Sequence, residues 1–236
     1  FPKDMQPNAR VIVYIHGGGW TKGGKEEFPR QLIEELVGKR GYLVVSMNYR
    51  LVKDGNNRFP AQIEDVKKAL EFITKNADKY EYNGNGYALM GGSAGAHLAM
   101  LYAYGYDDKK QVKTVIDLWG PTDFTDKAVR PDGSDADNIV INFLGEKDEN
   151  AQIAKDASPA YHLTKETAVP TILFHGGQDP LVNVSQAENL YKKLQALGIP
   201  AQLEIYPEEK HGVGPAAAVD VFSKTFAWLE KYYPAK

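Results

Sequence analysis

One apolar segment that runs into a glycine-flanked serine limits what this chain can fold into more than any other feature. Residues 87–90 (Tyr-Ala-Leu-Met) have the composition of a buried strand, and residues 96–101 (Ala-His-Leu-Ala-Met-Leu) that of a helix. Between them Gly91 and Gly95 flank a sharp bend, where neighbouring backbones approach closely and a Cβ would collide. The sequence therefore predicts a strand, a tight turn carrying Ser93, and a helix.

The pattern Gly91-x-Ser93-x-Gly95 is that of a nucleophile elbow, in which a serine is held on a strained turn with its hydroxyl exposed at the end of a sheet. A glycine-rich turn in which Ser93 merely caps a helix has the same letters. The strand before and the helix after supply the context that the functional interpretation requires. Ser93 is therefore the candidate nucleophile.

Other apolar runs, alternating with amphipathic segments, extend this unit along the chain. Further strands are predicted at residues 11–15, 43–47, 112–119, 171–174 and 201–206. Helices are predicted at residues 26–39, from Pro60 to 73, from the elbow to about 104, and at 185–196 and 217–232. Such alternation indicates parallel strands joined by crossover helices, and so an α/β fold with a doubly wound, mostly parallel sheet and helices on both faces.

The periodicity weakens between residues 120 and 168, where prolines and glycines interrupt the pattern. We expect short helices near residues 139–144 and 151–155, on a cap-like excursion over the sheet. A chain of 236 residues suits one large domain. The sequence is therefore interpreted as a single domain, residues 1–236, and not as two.

A second glycine cluster follows the first predicted strand, in His16-Gly17-Gly18-Gly19-Trp20. Three consecutive glycines are poor for regular structure but good for pointing backbone N–H groups at an anion. A serine hydroxyl also needs a positioned base to remove its proton. The partners of Ser93 are therefore expected among the histidines and carboxylates.

Five histidines are available as the base. His16 belongs to the glycine loop, His97 is expected within helix packing, His162 lies in a polar stretch, and His175 ends a buried strand. His211 lies in a loop between the last predicted strand and the last helix. Because loops at the carboxyl ends of parallel strands build the sites of such sheets, His211 is the preferred base.

The orienting acid is expected at the carboxyl end of a neighbouring strand. Asp179 satisfies this condition, although an aspartate before a proline is also a common turn residue. Asp123 and Asp126 are rivals after the preceding strand, and Glu208 is a more distant one. The order serine, Asp179, histidine is the chain order of the Ser-Asp-His triad of one large hydrolase fold.

These motifs together resemble the α/β-hydrolase superfamily. The resemblance rests on the motifs His16–Trp20 and Gly91–Gly95, on Asp179 and His211, and on residues 48–50 and 119–123. It is strongest to small bacterial esterases with an HGGGW loop, which are related to the hormone-sensitive-lipase and feruloyl or acetyl-xylan esterase groups.

The resemblance implies a triad of Ser93, Asp179 and His211. It also implies an oxyanion hole made by the amide of Gly18, with that of Gly17 or Gly19, and by the amide of Ala94. The expected activity is serine carboxylic-ester hydrolysis through an acyl-enzyme, without a metal ion or an organic cofactor. Formamidase, lactonase and peptidase activities share this chemistry, and a catalytically silent binding protein is the non-enzymatic alternative.

Trp20, Tyr49 and Trp119 are candidate cleft residues, with core packing as the competing role. A mean hydropathy of −0.43 and the lack of a long apolar lid segment disfavour a long-chain lipase. Short acyl or aryl esters, on a small molecule or on a carbohydrate, are the expected substrates.

Composition excludes some classes of partner. The net charge is −3 and no basic run is present, which argues against nucleic-acid binding. No apolar run approaches the roughly 18 residues of a membrane span. The absence of cysteine removes disulfides and thiolate sites but leaves the compartment open, whether cytoplasmic or, after removal of a signal peptide, periplasmic or secreted.

One departure from the resemblance concerns the start of the chain. The implied fold usually begins with two antiparallel edge strands before the glycine loop, and residues 1–10 are too few for them. We therefore expect these edge strands to be missing or to be contributed otherwise, and a sheet edge to be exposed. Truncation of the chain is one explanation of such an edge. Pairing with a second copy of the chain is one way of covering such an edge.

Overall fold

A computed structural model describes residues 7–128 and 130–235. Its strands are β1 (Ala9–Ile15), β2 (Leu43–Met47), β3 (Tyr82–Gly92), β4 (Val112–Leu118), β5 (Thr171–Gly176) and β6 (Ala201–Tyr206). In the described residues they form a six-stranded sheet with the order β2-β1-β3-β4-β5-β6. Every neighbouring pair is parallel. The predicted strands and the predicted parallel sheet are confirmed.

The central strands are apolar on both sides because helices cover both faces of the sheet. All of β1 is buried apart from a partly exposed Arg10. Val13 pairs with Val45 on one side and with Leu89 on the other. Strand β3 starts earlier than the sequence predicted, at Tyr82, and its register against β1 shifts between Ala9 and Val11.

The helices are α1 (Arg30–Ile33), α2 (Ala61–Lys75), α3 (Ala77–Tyr80), α4 (Ala94–Gly105), α5 (Asp135–Leu144), α6 (Gln152–Asp156), α7 (Pro159–His162), α8 (Ser185–Ala196) and α9 (Pro215–Tyr232). Buried side chains of α2, α4 and α8 share one core with one face of the sheet. Side chains of α1 and α9 pack in a second core on the opposite face. The predicted doubly wound α/β architecture, with helices on both faces of the sheet, is thus confirmed.

The predicted single helix over residues 26–39 is wrong in detail. The chain makes a 3₁₀ turn at Lys25–Glu27, then α1, and then a π-helical segment at Glu34–Lys39. Pro29 separates the first two pieces because proline has no N–H and its ring clashes within a helix. The change of helical period turns Ile33, predicted on the apolar face, outward to 43% exposure.

The excursion between β4 and β5 carries α5, α6 and α7 at the carboxyl end of the sheet. Within this excursion the amide of Ala160 donates a hydrogen bond to the carbonyl of Thr122, at 3.0 Å. Phe143 of α5 stacks on Trp20 of the glycine loop, with ring centroids 4.0 Å apart. The excursion therefore forms one wall above the glycine loop.

In the described part of the chain, β2 and β6 are the outer strands of the sheet. The expectation of missing edge strands concerns residues 1–10, of which 1–6 lie outside the described residues.

Candidate active site

The turn at Ser93 joins β3 directly to α4. Ser93 has φ 52° and ψ −118°, a region that a non-glycine residue occupies only under strain. A Cβ on Gly91 would lie 2.3 Å from the carbonyl carbon of Gly95, and one on Gly95 would lie 2.0 Å from the oxygen of Ile15. The predicted collisions are confirmed. The two glycines let the strand, the helix and β1 approach closely enough to hold Ser93 in its strained conformation.

His211 reaches Ser93 from the loop between β6 and α9. Its Nε2 lies 2.8 Å from Ser93 Oγ, and its Nδ1 lies 2.7 Å from Asp179 Oδ2. Three residues far apart in sequence therefore form one continuous line of hydrogen bonds. Because an ionised carboxylate can only accept, Nδ1 carries the ring proton and donates it to Asp179. Nε2 is then free to accept from the serine hydroxyl.

Asp179 is fixed in the turn after β5. Its Oδ1 accepts from the amides of Leu181 and Val182, at 2.8 and 2.9 Å. Burial raises the pKa of its carboxyl, but the nearby His175 ring, at 3.4 Å, and hydrogen bonds from His211 and the Val182 amide outweigh this and hold the pKa well below its usual range. Asp179 is therefore an ionised acceptor for His211.

The rival acids lie in other local structures. Asp123 Oδ1 accepts from the amide and hydroxyl of Thr125, at 2.9 and 2.7 Å. Asp126 accepts from the amide of Ala128, and Glu208 from the side chain of Gln178. The structure thus brings Asp179, and none of these three, to His211.

The turn that carries Asp179 and the loop that carries His211 are bound to each other. The amide of Gly177 donates to the carbonyl of Tyr206 at 2.8 Å, and the amide of Gln178 to that of Glu209 at 2.9 Å. A Cβ on Gly176 would lie 2.0 Å from the carbonyl oxygen of Lys210. The two segments are therefore closely packed and hydrogen-bonded to each other.

The glycine loop passes directly beside Ser93. A Cβ on Gly17 would lie 3.5 Å from Ser93 Cβ, and Gly18 and Gly19 have positive φ values of 104° and 56°. Among the described residues, no backbone or side-chain acceptor takes the amide protons of Gly18 or Gly19. Ala94, the first residue of α4, lies at the positive end of that helix. Gly18, Gly19 and Ala94 line the same cavity as Ser93.

Tyr49 lies behind this loop and not in the cleft, which corrects its expected place among the substrate-contacting residues. Its side chain is buried, and its hydroxyl donates to the carbonyls of His16 and Gly17, at 3.0 and 3.2 Å. Its ring stacks on His16 with centroids 4.2 Å apart. Tyr49 therefore holds the glycine loop in place.

A cavity of about 560 Å³ opens at Ser93 and His211. The described residues of its apolar wall include Trp119, Phe124, Ile139, Val140, Leu181 and Val182. Trp20 also borders it, although that side chain is 2% exposed and packs between Phe143 and His97. Both tryptophans proposed from the sequence thus reach the cleft, and Trp20 does so mainly as a packing residue.

Three buried polar groups near the site were not singled out by sequence reasoning as site residues: His175, Asp117 and Arg130. The carboxyl of Asp117 on β4 accepts from the amide of Gly120 at 2.8 Å, and burial raises its pKa to about 7 against the lowering charge of His175. The signal for Asp117 was an acid inside the apolar run at 115–118 (Val-Ile-Asp-Leu). Arg130 borders the cavity while 1% exposed.

The remaining histidines are placed elsewhere. His97 is buried, and its Nε2 donates to the carbonyl of Ala157 at 2.7 Å, as expected for a packed helical histidine. Burial lowers the pKa of His97 to about 4, so this ring stays neutral. His162 is partly exposed and donates to the carbonyl of Asp156. Neither borders the cavity.

Within residues 7–128 and 130–235, no group of three or more His, Asp or Glu side chains is placed to hold a metal ion. The helices of these residues include none with the length and apolar character of a bilayer-crossing segment.

Curated proteins similar to this chain include two that are named as ester hydrolases. Esterase LipC of Mycobacterium tuberculosis is 27% identical over 209 residues, covering 83% of this chain and 51% of that protein. The probable carboxylic ester hydrolase LipM of the same organism is 30% identical over 210 residues, covering 81% and 46%. The chain thus spans about half the length of these curated relatives.

Solved structures share the fold. The bifunctional GH43-CE of Bacteroides eggerthii superposes with a TM-score of 0.83 at 24% identity, covering 98% of this chain and 32% of that one. Esterase Est2 of Thermogutta terrifontis gives 0.78 at 22% identity, covering 99% and 87%. The BD-FAE family model matches residues 1–194, which is most of the sequence. The chain therefore belongs to the BD-FAE family, with the fold of the α/β-hydrolases.

Proposed function

We propose that this chain is a serine carboxylic-ester hydrolase in which Ser93 is the nucleophile, His211 the general base and acid, and Asp179 the orienting carboxylate. The observation that carries the proposal is the hydrogen-bonded line Ser93–His211–Asp179, with separations of 2.8 and 2.7 Å, at the mouth of a cavity. The curated relatives named as esterases support the same reaction class.

In the first half of the reaction, Ser93 is acylated and the alcohol of the ester is released. His211 Nε2 takes the hydroxyl proton as Ser93 Oγ bonds to the ester carbonyl carbon. Asp179 stabilises the imidazolium through Nδ1–H. The tetrahedral intermediate then collapses, the bond to the alcohol oxygen breaks, and His211 returns the proton to that oxygen. The alcohol leaves, and Ser93 carries the acyl group.

Hydrolysis of the acyl-enzyme repeats these steps with water. His211 removes a proton from water as the water oxygen attacks the acyl carbon, and then returns a proton to Ser93 Oγ as the acid leaves. In both halves the negative charge that develops on the carbonyl oxygen is stabilised by the amides of Gly18, Gly19 and Ala94. A donor of this kind is worth on the order of 10²–10³ in rate.

The proposed substrates are short acyl or aryl esters of small alcohols or carbohydrates. The cavity of about 560 Å³ lies in the size range of sites for small ligands. Its wall is mostly apolar, and Asp123 and Gln186 add polar groups on one side. This mixture suits a short acyl group attached to a polar alcohol.

The test combines a covalent probe with two chromogenic esters. A fluorophosphonate should label the wild type and a Ser185→Ala control but not Ser93→Ala. The wild type should hydrolyse 4-nitrophenyl acetate faster than 4-nitrophenyl palmitate. Labelling that persists in Ser93→Ala would refute the nucleophile, and a preference for palmitate would refute the substrate class.

A further inference from the structure

His175 is a buried histidine that the reaction above does not use. It lies near the end of β5, four residues before Asp179, and is 0% exposed. Its Nε2 lies 2.8 Å from the carbonyl oxygen of Val182 and 3.4 Å from Asp179 Oδ2. A carbonyl oxygen only accepts, so Nε2 carries a proton, and this N–H lies between the carbonyl and the triad carboxylate.

This contact completes the surroundings of Asp179. The amide of Val182 donates to Asp179 Oδ1, while the carbonyl of the same residue accepts from His175. His175 therefore holds the peptide segment that holds Oδ1, and it also places a donor near Oδ2. On the other side of Oδ2 is His211 Nδ1, at 2.7 Å. Two imidazoles thus flank one carboxylate oxygen.

A second carboxylate, that of Asp117, also acts on His175. Asp117 pairs in register with Leu173, whose side chain is on the same face of β5 as that of His175. Burial lowers the pKa of His175, but contacts with Asp179 and Val182 and the charge of Asp117 more than offset this and raise it. Within the described residues, His175 Nδ1 and Asp117 Oδ2 have no hydrogen-bond partner. Asp179 and Asp117 thus act on the pKa of His175 in the same direction, and both raise it.

We propose that His175 is a positioning residue for the triad acid, holding the Asp179 carboxylate in the rotation at which Oδ2 faces His211. The χ2 torsion of aspartate is broad and does not fix that rotation unaided. This inference rests on the proposed function and adds to it a second histidine acting through Asp179. His175 itself touches neither the substrate nor Ser93 in this arrangement.

The test uses three substitutions that differ in where a donor is placed. The side-chain amide of His175→Gln reaches the region of Nε2, that of His175→Asn the region of Nδ1, and His175→Leu has no donor. Expected kcat values on 4-nitrophenyl acetate, per fluorophosphonate-titrated site, fall roughly 10- to 100-fold for Leu and Asn, the range of one hydrogen bond to a charged group. For His175→Gln we expect kcat to fall by at most about 3-fold, because the glutamine amide restores a donor but a neutral one, which binds a carboxylate less strongly than a charged donor does. KM should change little in all three variants.

A spectroscopic readout separates positioning from stability. The Nδ1 proton shared by His211 and Asp179 should give a strongly deshielded ¹H NMR line. We expect this line to persist in the wild type and in His175→Gln, and to shift or broaden in His175→Leu. His162→Leu, which loses a comparable histidine–carbonyl bond far from the cleft, serves as the matched control and should leave both the line and kcat unchanged.

Several results would overturn the inference. They are an unchanged kcat in His175→Leu, a loss expressed in KM alone, and equal losses in the Gln, Asn and Leu variants with an unchanged deshielded line. If the wild type hydrolyses no ester, the proposed function fails, and the NMR comparison still decides whether His175 positions Asp179.

Discussion

Replacing Asp179 with asparagine is the sharpest test of the triad, because the change is nearly isosteric. The two backbone amides at 2.8 and 2.9 Å hold an oxygen at the Oδ1 position, so the asparagine carbonyl remains there. The new NH₂ group then faces His211 Nδ1, where a carboxylate oxygen accepted at 2.7 Å. Two donors cannot pair, so Nδ1 must lose its proton and become the acceptor.

This exchange of tautomers places a proton on His211 Nε2, the atom that faces Ser93 Oγ. The imidazole can then no longer remove the serine proton, and the compensating charge for the imidazolium is also lost. A change of this type costs a serine triad about 10⁴ in kcat. That factor corresponds to about 5.5 kcal/mol of transition-state stabilisation.

The assay is kcat on 4-nitrophenyl acetate near neutral pH, with circular dichroism and thermal unfolding to show that the variant is folded. Asp126→Asn is the matched control, because Asp126 caps a local turn away from the cavity, and should leave kcat unchanged. Asp123→Asn should cost less than 10-fold, since the Asp123 side chain bonds to Thr125 and borders the cavity without reaching His211. If Asp123→Asn is the damaging change while Asp179→Asn is mild, the assignment of the acid is wrong.

Three further outcomes are expected. Gly95→Ala should prevent folding or lower the free energy of unfolding by more than about 4 kcal/mol, because the new Cβ would lie 2.0 Å from the carbonyl oxygen of Ile15 in β1. Urea unfolding of the soluble protein measures the loss, and a stability near that of the wild type would contradict the prediction. Tyr49→Phe should lower kcat about 10-fold with little change in KM, because the glycine loop loses a hydroxyl that donates to two of its carbonyls; a change in KM alone would instead place Tyr49 at the substrate. Asp117→Asn should gain stability relative to the wild type as pH rises from 4 to 8, by a few kcal/mol at most. In the folded wild type the pKa of Asp117 is about 7, against 3.8 for an ordinary carboxyl, so the folded state binds more protons than the unfolded state in this pH range and loses stability as they dissociate. The change in the free energy of unfolding between pH 5 and pH 8, measured in urea, should therefore differ between the two proteins. The same change in both would refute a raised pKa of Asp117.

The strands and the serine turn could be predicted because their causes are local. A strand that is buried on both faces requires an uninterrupted apolar run, and Val11–Ile15 is one. Gly91 and Gly95 are required wherever a strand turns sharply into a helix against a neighbouring strand. The spacing of strands and helices then placed Ser93, Asp179 and His211 at the carboxyl end of the sheet, where the structure brings them together.

The features that the sequence did not reveal depend on contacts between distant segments. Nothing in the letters around Tyr49 shows that its hydroxyl reaches back to the glycine loop, 32 residues away for the Gly17 contact. His175 was recognised only as the end of a strand, because its contact with Asp179 depends on the shape of the following turn. The break at Pro29 was hidden by an apolar spacing that fitted a continuous helix.

The backbone bonds that join the Asp179 turn to the His211 loop have a mechanical consequence. They couple the proposed acid, Asp179, to the proposed base, His211, which meets Ser93 through the 2.8 Å hydrogen bond between Nε2 and Oγ. Under mild heating or low urea we expect this hydrogen bond to break first, while the imidazole and the carboxylate stay together. Turnover should therefore vanish at a lower denaturant concentration than the loss of tryptophan fluorescence, giving inactivation and unfolding as two separate transitions.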